Sequence, residues 1–338
     1  MLPREYITPI KKFLLGLDSN IGREIRSSHG EMGEVEVSRR LRRGTDIENP
    51  MEGLSYTASD LIQECNAISL DGVQNDKVYF GFESFSQKFE GDITQSDYAL
   101  IIKFKDTSNN ATAQNNREWI YLIQAKIARP YRFGEGINPD WDSDAYFEDT
   151  NGQSEKIANL KRFMGKLILY NLYCPDRVAD LIGAQSSIDE AARLYPDLCG
   201  EKIARDSSMW LRTELDKNIG DIFSADGEEK ISFVQFIMNH LFSPSPAWIE
   251  PEDTQHELLP LRARRSLLQK VLGRDTDAMN ELRSYAIPGK GPIPDTWFQN
   301  ILPVRWIELE VRFPRLEYDL AQRRRPDTPD TSPSSPSR

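Results

Sequence analysis

Cysteine and histidine are both scarce in this chain of 338 residues. Its three cysteines (Cys65, Cys174 and Cys199) stand far apart with no C-x-x-C pair. That argues against a disulfide framework or a structural zinc site and fits a reducing compartment. The three histidines (His29, His240 and His256) form no H-E-x-x-H or H-x-H pairing, which disfavours a histidine-built metal centre. A hard, oxygen-preferring cation needs only carboxylates and carbonyls, so a site for one stays open. No apolar run approaches the roughly 18 residues of a membrane span, and no internal repeat is visible. The opening M-L-P-R-E-Y-I-T-P-I-K-K-F-L-L-G-L is broken by charges and prolines and lacks a signal-peptide layout. A cytoplasmic protein without a membrane partner is the expectation.

What is present is the material of a sizeable core. Hydrophobic residues make up 39% of the chain, which places it among globular rather than disordered sequences. The net charge of −11 runs against nucleic-acid binding, yet binding depends on the local field, and the positive charge is clustered. R-R-L-R-R at 39–43, R-A-R-R at 262–265 and R-R-R at 323–325 are the three basic runs.

Along the chain, G-E-M-G-E-V-E-V-S-R-R-L-R-R at 30–43 reads as a helix stopped near Gly44. A second short helix covers 57–68, starting after Thr57 or Ser59. V-Y-F-G-F at 78–82 and S-D-Y-A-L-I-I-K-F at 96–104 have the aromatic and branched content of strands. A polar connection at 106–117 leads into W-I-Y-L-I-Q-A-K-I-A-R at 119–129, read as the returning strand. A helix over about 153–165 precedes K-L-I-L-Y-N-L-Y, a strand ended by Cys174-Pro175. After 176 the pattern turns to helical segments, including 231–242 and roughly 258–273, with a strand at 306–313. The expected organisation is an N-terminal segment 1–29, a core 30–175, a mostly helical accessory region 176–322 and a disordered tail 323–338. The fold class is α/β (α+β), a mixed sheet flanked by helices with a mostly helical C-terminal extension.

The returning strand poses a chemical problem. Side chains two apart on a strand share a face, so Gln124 and Lys126 point one way while Ile123, Ala125 and Ile127 point the other. An ammonium beside a core needs a carboxylate or phosphate partner, because an unpaired buried charge is very costly. Hairpin pairing supplies one. If Phe104 lies near Glu118, position 97 falls opposite 125, and a register one residue either way sets Asp97 across from Gln124 or Lys126. A third contributor comes from the 30–43 helix, where Glu34 lies on the apolar stripe with Val37 and Leu41. Glu31 is the alternative there. Glu83, Glu90 and Asp92 compete with Asp97 for the acid role.

An acid on one strand, a (D/E/Q)-x-K on the next and a glutamate on an earlier helix together resemble the PD-(D/E)XK nuclease superfamily. More narrowly, S-D-Y-A-L-I-I followed by Y-L-I-Q-A-K resembles the Q-x-K variant of Mrr-like restriction-endonuclease domains, over about 30–175. Where that layout has a glycine two before the acid, Gln95 stands here. The resemblance implies a restriction-endonuclease-like sheet and a DNA endonuclease dependent on Mg²⁺ or Mn²⁺. Restriction or antiphage defence would be its setting. By the same resemblance Asp97, Glu34 and Gln124 are the metal ligands, and Lys126 stabilises charge on the phosphate. Lys88, Arg39, Arg40, Arg42, Arg43 and Lys156 are candidates for phosphate contacts, which position rather than specify. Gln153 is a further residue of the active-site side. A homo-oligomer or other defence-system subunits are possible partners under this resemblance. An inactive interaction module on the same fold and an RNA-directed nuclease are the alternative readings.

Overall fold

A computed structural model describes residues 2–28, 31–68, 73–106, 117–130, 141, 143–149, 152–178, 207–215, 217–224, 230–242, 259–293 and 305–314. Its centre is a mixed sheet of eight strands flanked by helices. The strands are β1 (Val73–Ser84), β2 (Tyr98–Asp106), β3 (Arg117–Arg129), β4 (Tyr146–Phe147), β5 (Ile168–Tyr173), β6 (Met209–Arg212), β7 (Lys230–Ser232) and β8 (Arg305–Pro314). Seven of them run in the order β7-β6-β5-β3-β2-β1-β8, and β4 pairs with the end of β3.

The hairpin of β2 and β3 takes one of the registers the sequence left open. Phe104 pairs with Arg117 and Tyr98 with Ile123, which carries Asp97 opposite Gln124. Asp97 precedes the first residue of β2, and its N–H donates to the Ile123 carbonyl at 2.9 Å, so the ladder extends to it. β3 is buried on both faces from Trp119 to Ala128, which explains its nearly continuous apolar run. Its other neighbour, β5, is the one parallel partner, with Ala125 beside Asn171. A parallel pair needs a crossover, and helix Gln153–Met164 lies within it. The start of that helix is thereby brought to the end of β3 that carries Gln124 and Lys126.

The sheet reaches beyond residue 175. β6, β7 and β8 come from the later half of the chain, which therefore contributes strands as well as helices Phe233–Phe242, Leu261–Leu272 and Thr276–Ala286. Two of those strands escape a periodicity reading because they are too short, at 4 and 3 residues, to show alternation. The first two residues of the stretch expected to be helical, 231–242, belong to β7.

The N-terminal segment, for which the sequence reading assigns no element, contains a helix, α1 (Ile7–Ser27). Pro9 falls in its first turn, where no intrahelical partner exists for an N–H, so the ring is tolerated. Tyr6, Ile10, Phe13, Leu14, Leu17, Ile21 and Ile25 form its buried stripe. Asp18, 1% exposed, ties α1 to the sheet by accepting from the N–H groups of Ser208 at 2.7 Å and Met209 at 3.0 Å. Close approach at this crossing requires glycine. A Cβ on Gly22 would lie 2.0 Å from Ser208 Oγ and 2.9 Å from the Asp176 nitrogen.

The expected helix at 30–43 begins later, at Glu34, and runs to Gly44 as α2. Gly33 occupies the N-cap, so Glu31, the alternative to Glu34, lies before the helix and not on it. Glu34 and Glu36 in the first turn and Arg42 and Arg43 in the last complement the helix dipole. The next helix, α3 (Ala58–Ala67), starts after Thr57, whose side chain forms a reciprocal capping box with Asp60. The expected tail from residue 323 lies outside the described residues. Among the described residues no helix is long and apolar enough to cross a membrane.

Candidate functional site

Gln124 and Lys126 share a face of β3 as strand alternation requires, and elements from four parts of the chain close over them. Asp97 is the first. Its carboxylate Oδ2 accepts from Gln124 Nε2 at 2.5 Å and from the Ala125 N–H at 2.7 Å. The segment leading to it is an unusual wide turn, Glu90–Thr94, closed by a hydrogen bond from the Gln95 N–H to the Glu90 carbonyl at 2.7 Å. Gln95 itself is left-handed, with φ 53°. This is a conformation glycine adopts without penalty, at the position where the resembled layout has glycine. The Gln95 amide compensates by donating to the Gly91 carbonyl at 2.7 Å.

The second contributor is Glu34, the first residue of α2. Its Oε1 lies 3.5 Å from the ammonium of Lys126. The approach is anchored by Arg129, at the end of β3, which donates to the Met32 carbonyl at 3.0 Å. The third is Gln153, first residue of the crossover helix, which acts as a hub. Its Oε1 accepts from Lys126 Nζ at 3.1 Å, while its Nε2 donates to Gln124 Oε1 at 2.9 Å and to Glu90 Oε1 at 3.2 Å. Glu90, from the wide turn, is the fourth. Lys126, 1% exposed, thus has a carboxylate partner and an amide partner.

Three carboxylates around one lysine leave the cluster short of positive charge. Burial pushes the Asp97 carboxyl well above its ordinary value, and the neighbouring charges of Glu90 and Glu34 push it further; the Ala125 N–H and Lys126 oppose this. Glu90 is raised first by burial and then by Glu34, against the Gln153 hydrogen bond and Lys126. Glu34 is raised by burial, with Lys126 and then Arg129 holding it down. Lys126 is the one cation that lowers all three.

A cavity of about 840 Å³ opens beside these groups. Asp97 and Glu90 line it, and Arg39, Arg42 and Arg43 of α2 form another part of its wall. Lys126, Gln124 and Glu34 are not among the lining residues; Lys126 and Gln124 are buried next to the two acids. The remaining basic candidates divide. Arg40 turns to Glu36 at 3.3 Å and to Glu24 of α1 at 3.4 Å. Lys88 is exposed on the turn after β1, and Lys156 is half-buried one turn beyond Gln153. None of these three lines the cavity.

Of the competing acids, Asp92 pairs with Lys290 at 3.0 Å and Glu83 with Arg274. Both therefore face the C-terminal helical region, and Glu90 alone joins Asp97. No periodicity marks Glu90, because the turn that presents it is neither helix nor strand by pattern. The other partly hidden member, Gln153, becomes central only through the parallel β3–β5 pairing.

Among the described residues, no three Asp, Glu, His or Cys side chains stand close enough to share one ion. Two carboxylates on a cavity wall nevertheless suit Mg²⁺, which characteristically takes one or two carboxylates and completes its shell with water and substrate phosphate. The donor chemistry of Asp97 and Glu90 is of the kind that a hard divalent cation takes. The chain matches no family model, no curated protein and no solved structure.

Proposed function

We propose that the protein is a divalent-metal-dependent endonuclease that hydrolyses phosphodiester bonds in DNA, of the PD-(D/E)XK type with a Q-x-K motif, working in restriction or antiphage defence. The observation that carries this reading is the shared cavity. Two acids of raised pKa lie on the same concave surface as three arginines, a pairing of cation-holding and phosphate-binding groups that a structural salt-bridge network does not need. Asp97 and Glu90 are the groups to hold Mg²⁺ or Mn²⁺. A bound cation of this kind polarises a phosphate oxygen and lowers the pKa of water, supplying the nucleophile.

The chain's own residues do the rest. Gln124 and the Ala125 N–H fix the Asp97 carboxylate so that it does not reorient during the reaction. Gln153 fixes Glu90, Gln124 and Lys126 relative to one another. Lys126, buried next to the two acids, offsets the negative charge of the cluster and adds its positive field to the site rather than touching the phosphate, and Glu34 holds the lysine. Arg39, Arg42 and Arg43 bind the flanking backbone, which positions the strand without reading its sequence.

The deciding assay is nicking of supercoiled plasmid by the pure protein with Mg²⁺ or Mn²⁺, run against EDTA and an Asp97→Asn control. Cation-dependent nicking that the variant lacks supports the proposal. Tight plasmid binding with no cutting under either cation favours a non-catalytic interaction module instead, a reading that the deep burial of Lys126 supports. Cutting of RNA but not plasmid would redirect the assignment to an RNA-directed nuclease.

A further inference from the structure

The cavity beside Asp97 measures about 840 Å³, in the size range of pockets that take small molecules. Its walls differ in chemistry. Arginines of α2 supply one. The loop after α2 supplies a second, where the Asp46 carboxylate accepts from the N–H groups of Glu48 and Asn49 at 3.1 Å each and so holds the polar loop in shape. The last residue of β1 and the stretch just after it supply the third and put the half-buried ring of Phe85 into the lining.

Phe85 leans on a second ring. Its centroid is 5.1 Å from that of Phe89 with the ring planes tilted by 43°; Phe89 is 6% exposed, and the Arg274 guanidinium lies 4.5 Å over its ring. Arg274 is in turn anchored by the buried Glu83. A ring packed against a second ring that is itself held by a fixed cation keeps its position in the wall and can offer its face to a base. Nothing in phosphodiester hydrolysis itself calls for an aromatic platform here, whereas a base turned out of its stack needs one.

We propose that this cavity binds a single nucleotide unstacked from its strand, with the base on Phe85 and the adjoining phosphates on the arginines. The inference rests on the nuclease reading in one respect: it places the nucleotide's phosphate toward Asp97 and Glu90. It follows that single-stranded or distorted DNA is preferred to regular duplex.

The test separates binding from cutting. A short oligodeoxynucleotide carrying one fluorescent 2-aminopurine is titrated with the full-length protein in EDTA, as a single strand and as a duplex. Expected are tighter binding of the single strand and a fluorescence change as the base stacks. Phe85→Leu keeps the apolar contact with Phe89 but removes the π-face, and should weaken single-strand binding about 5- to 150-fold; Phe85→Tyr should bind as wild type does. Equal affinity for the two forms, or a Leu variant that binds like wild type, overturns the nucleotide pocket. Plasmid nicking with no dependence on Phe85 would sink the pocket and leave the nuclease standing. Phe85-dependent binding without nicking would do the reverse.

Discussion

Replacing Lys126 by methionine removes one charge while nearly preserving side-chain volume, so no large cavity complicates the outcome. The lysine is 1% exposed and is the cation that holds down Glu34, Glu90 and Asp97 together. Removing one member of a buried ion pair costs roughly 3–5 kcal/mol. The lower end applies here, because the side chain of Glu34, its carboxylate partner, retains 29% exposure and stays partly solvated. Unfolding entropy of about 2.1 cal/mol/K per residue over 338 residues is about 0.7 kcal/mol/K, so a loss of about 3 kcal/mol lowers Tm by about 4 °C. The sign of its pH dependence follows from the three acids. Their folded-state pKa values lie above the unfolded ones, so the folded cluster binds more protons than the unfolded chain in the window between. Stability contributed there is full below the ordinary carboxylate range and is lost as pH rises through the raised values. Without Lys126 that loss deepens. The Tm gap between variant and wild type should therefore be widest near pH 8 and shrink toward pH 5, with nicking abolished throughout. Thermal melts across that range, read beside the plasmid assay, give the answer. A gap that does not change with pH, or a variant that melts and cuts like wild type, refutes the electrostatic account of the cluster.

Asp97→Asn should act in the opposite sense on stability. It removes a desolvated, repelled carboxylate but keeps an oxygen for the Ala125 N–H, so we expect a gain of about 0.5–2 kcal/mol near pH 8, fading on acidification, with activity lost; an inactive variant that melts earlier at pH 8 would contradict this. Because Asp97 and Glu90 hold protons above the usual carboxylate range, activity should decline on acidification before ordinary carboxylates titrate, and a higher cation concentration should move that limb to lower pH. A limb insensitive to cation would show that the acids are not its ligands. Arg39→Ala and Arg43→Ala should each weaken DNA binding across all sequences and reduce the salt slope by about 1, measured by titration at several salt concentrations. Gly22→Ala should lose about 1–3 kcal/mol through overpacking against Ser208 and the Asp176 backbone; a denaturation midpoint unchanged from wild type would show that α1 can shift at no cost.

Period-two alternation alone put Gln124 and Lys126 on one face, and the aromatic and branched content marked β3 as a strand, although its burial on both faces is set by the elements packed around it. The acid was legible as well, because an antiparallel hairpin ties position 97 to the end of β3 within one residue of register. These are local facts, set by side-chain direction and by the cost of an unpaired buried ammonium. The rest depended on contacts distant in sequence. Glu90 sits on a turn with no periodicity, and only the folded turn, closed through Gln95, carries it to Asp97. Gln153 lies 27 residues beyond Lys126 and meets it because β5 pairs in parallel with β3, which returns the crossover helix to the same end of the sheet. Asp92 and Glu83 looked as eligible as Glu90 until Lys290 and Arg274, roughly two hundred residues away, drew them outward. β6 and β7 are too short to announce themselves, and α1 was hidden by a proline that its first turn accommodates. Sequence periodicity decides which way each side chain faces along its own element; which carboxylates then share a lysine is decided by the pairing of strands and the packing of helices across the whole chain.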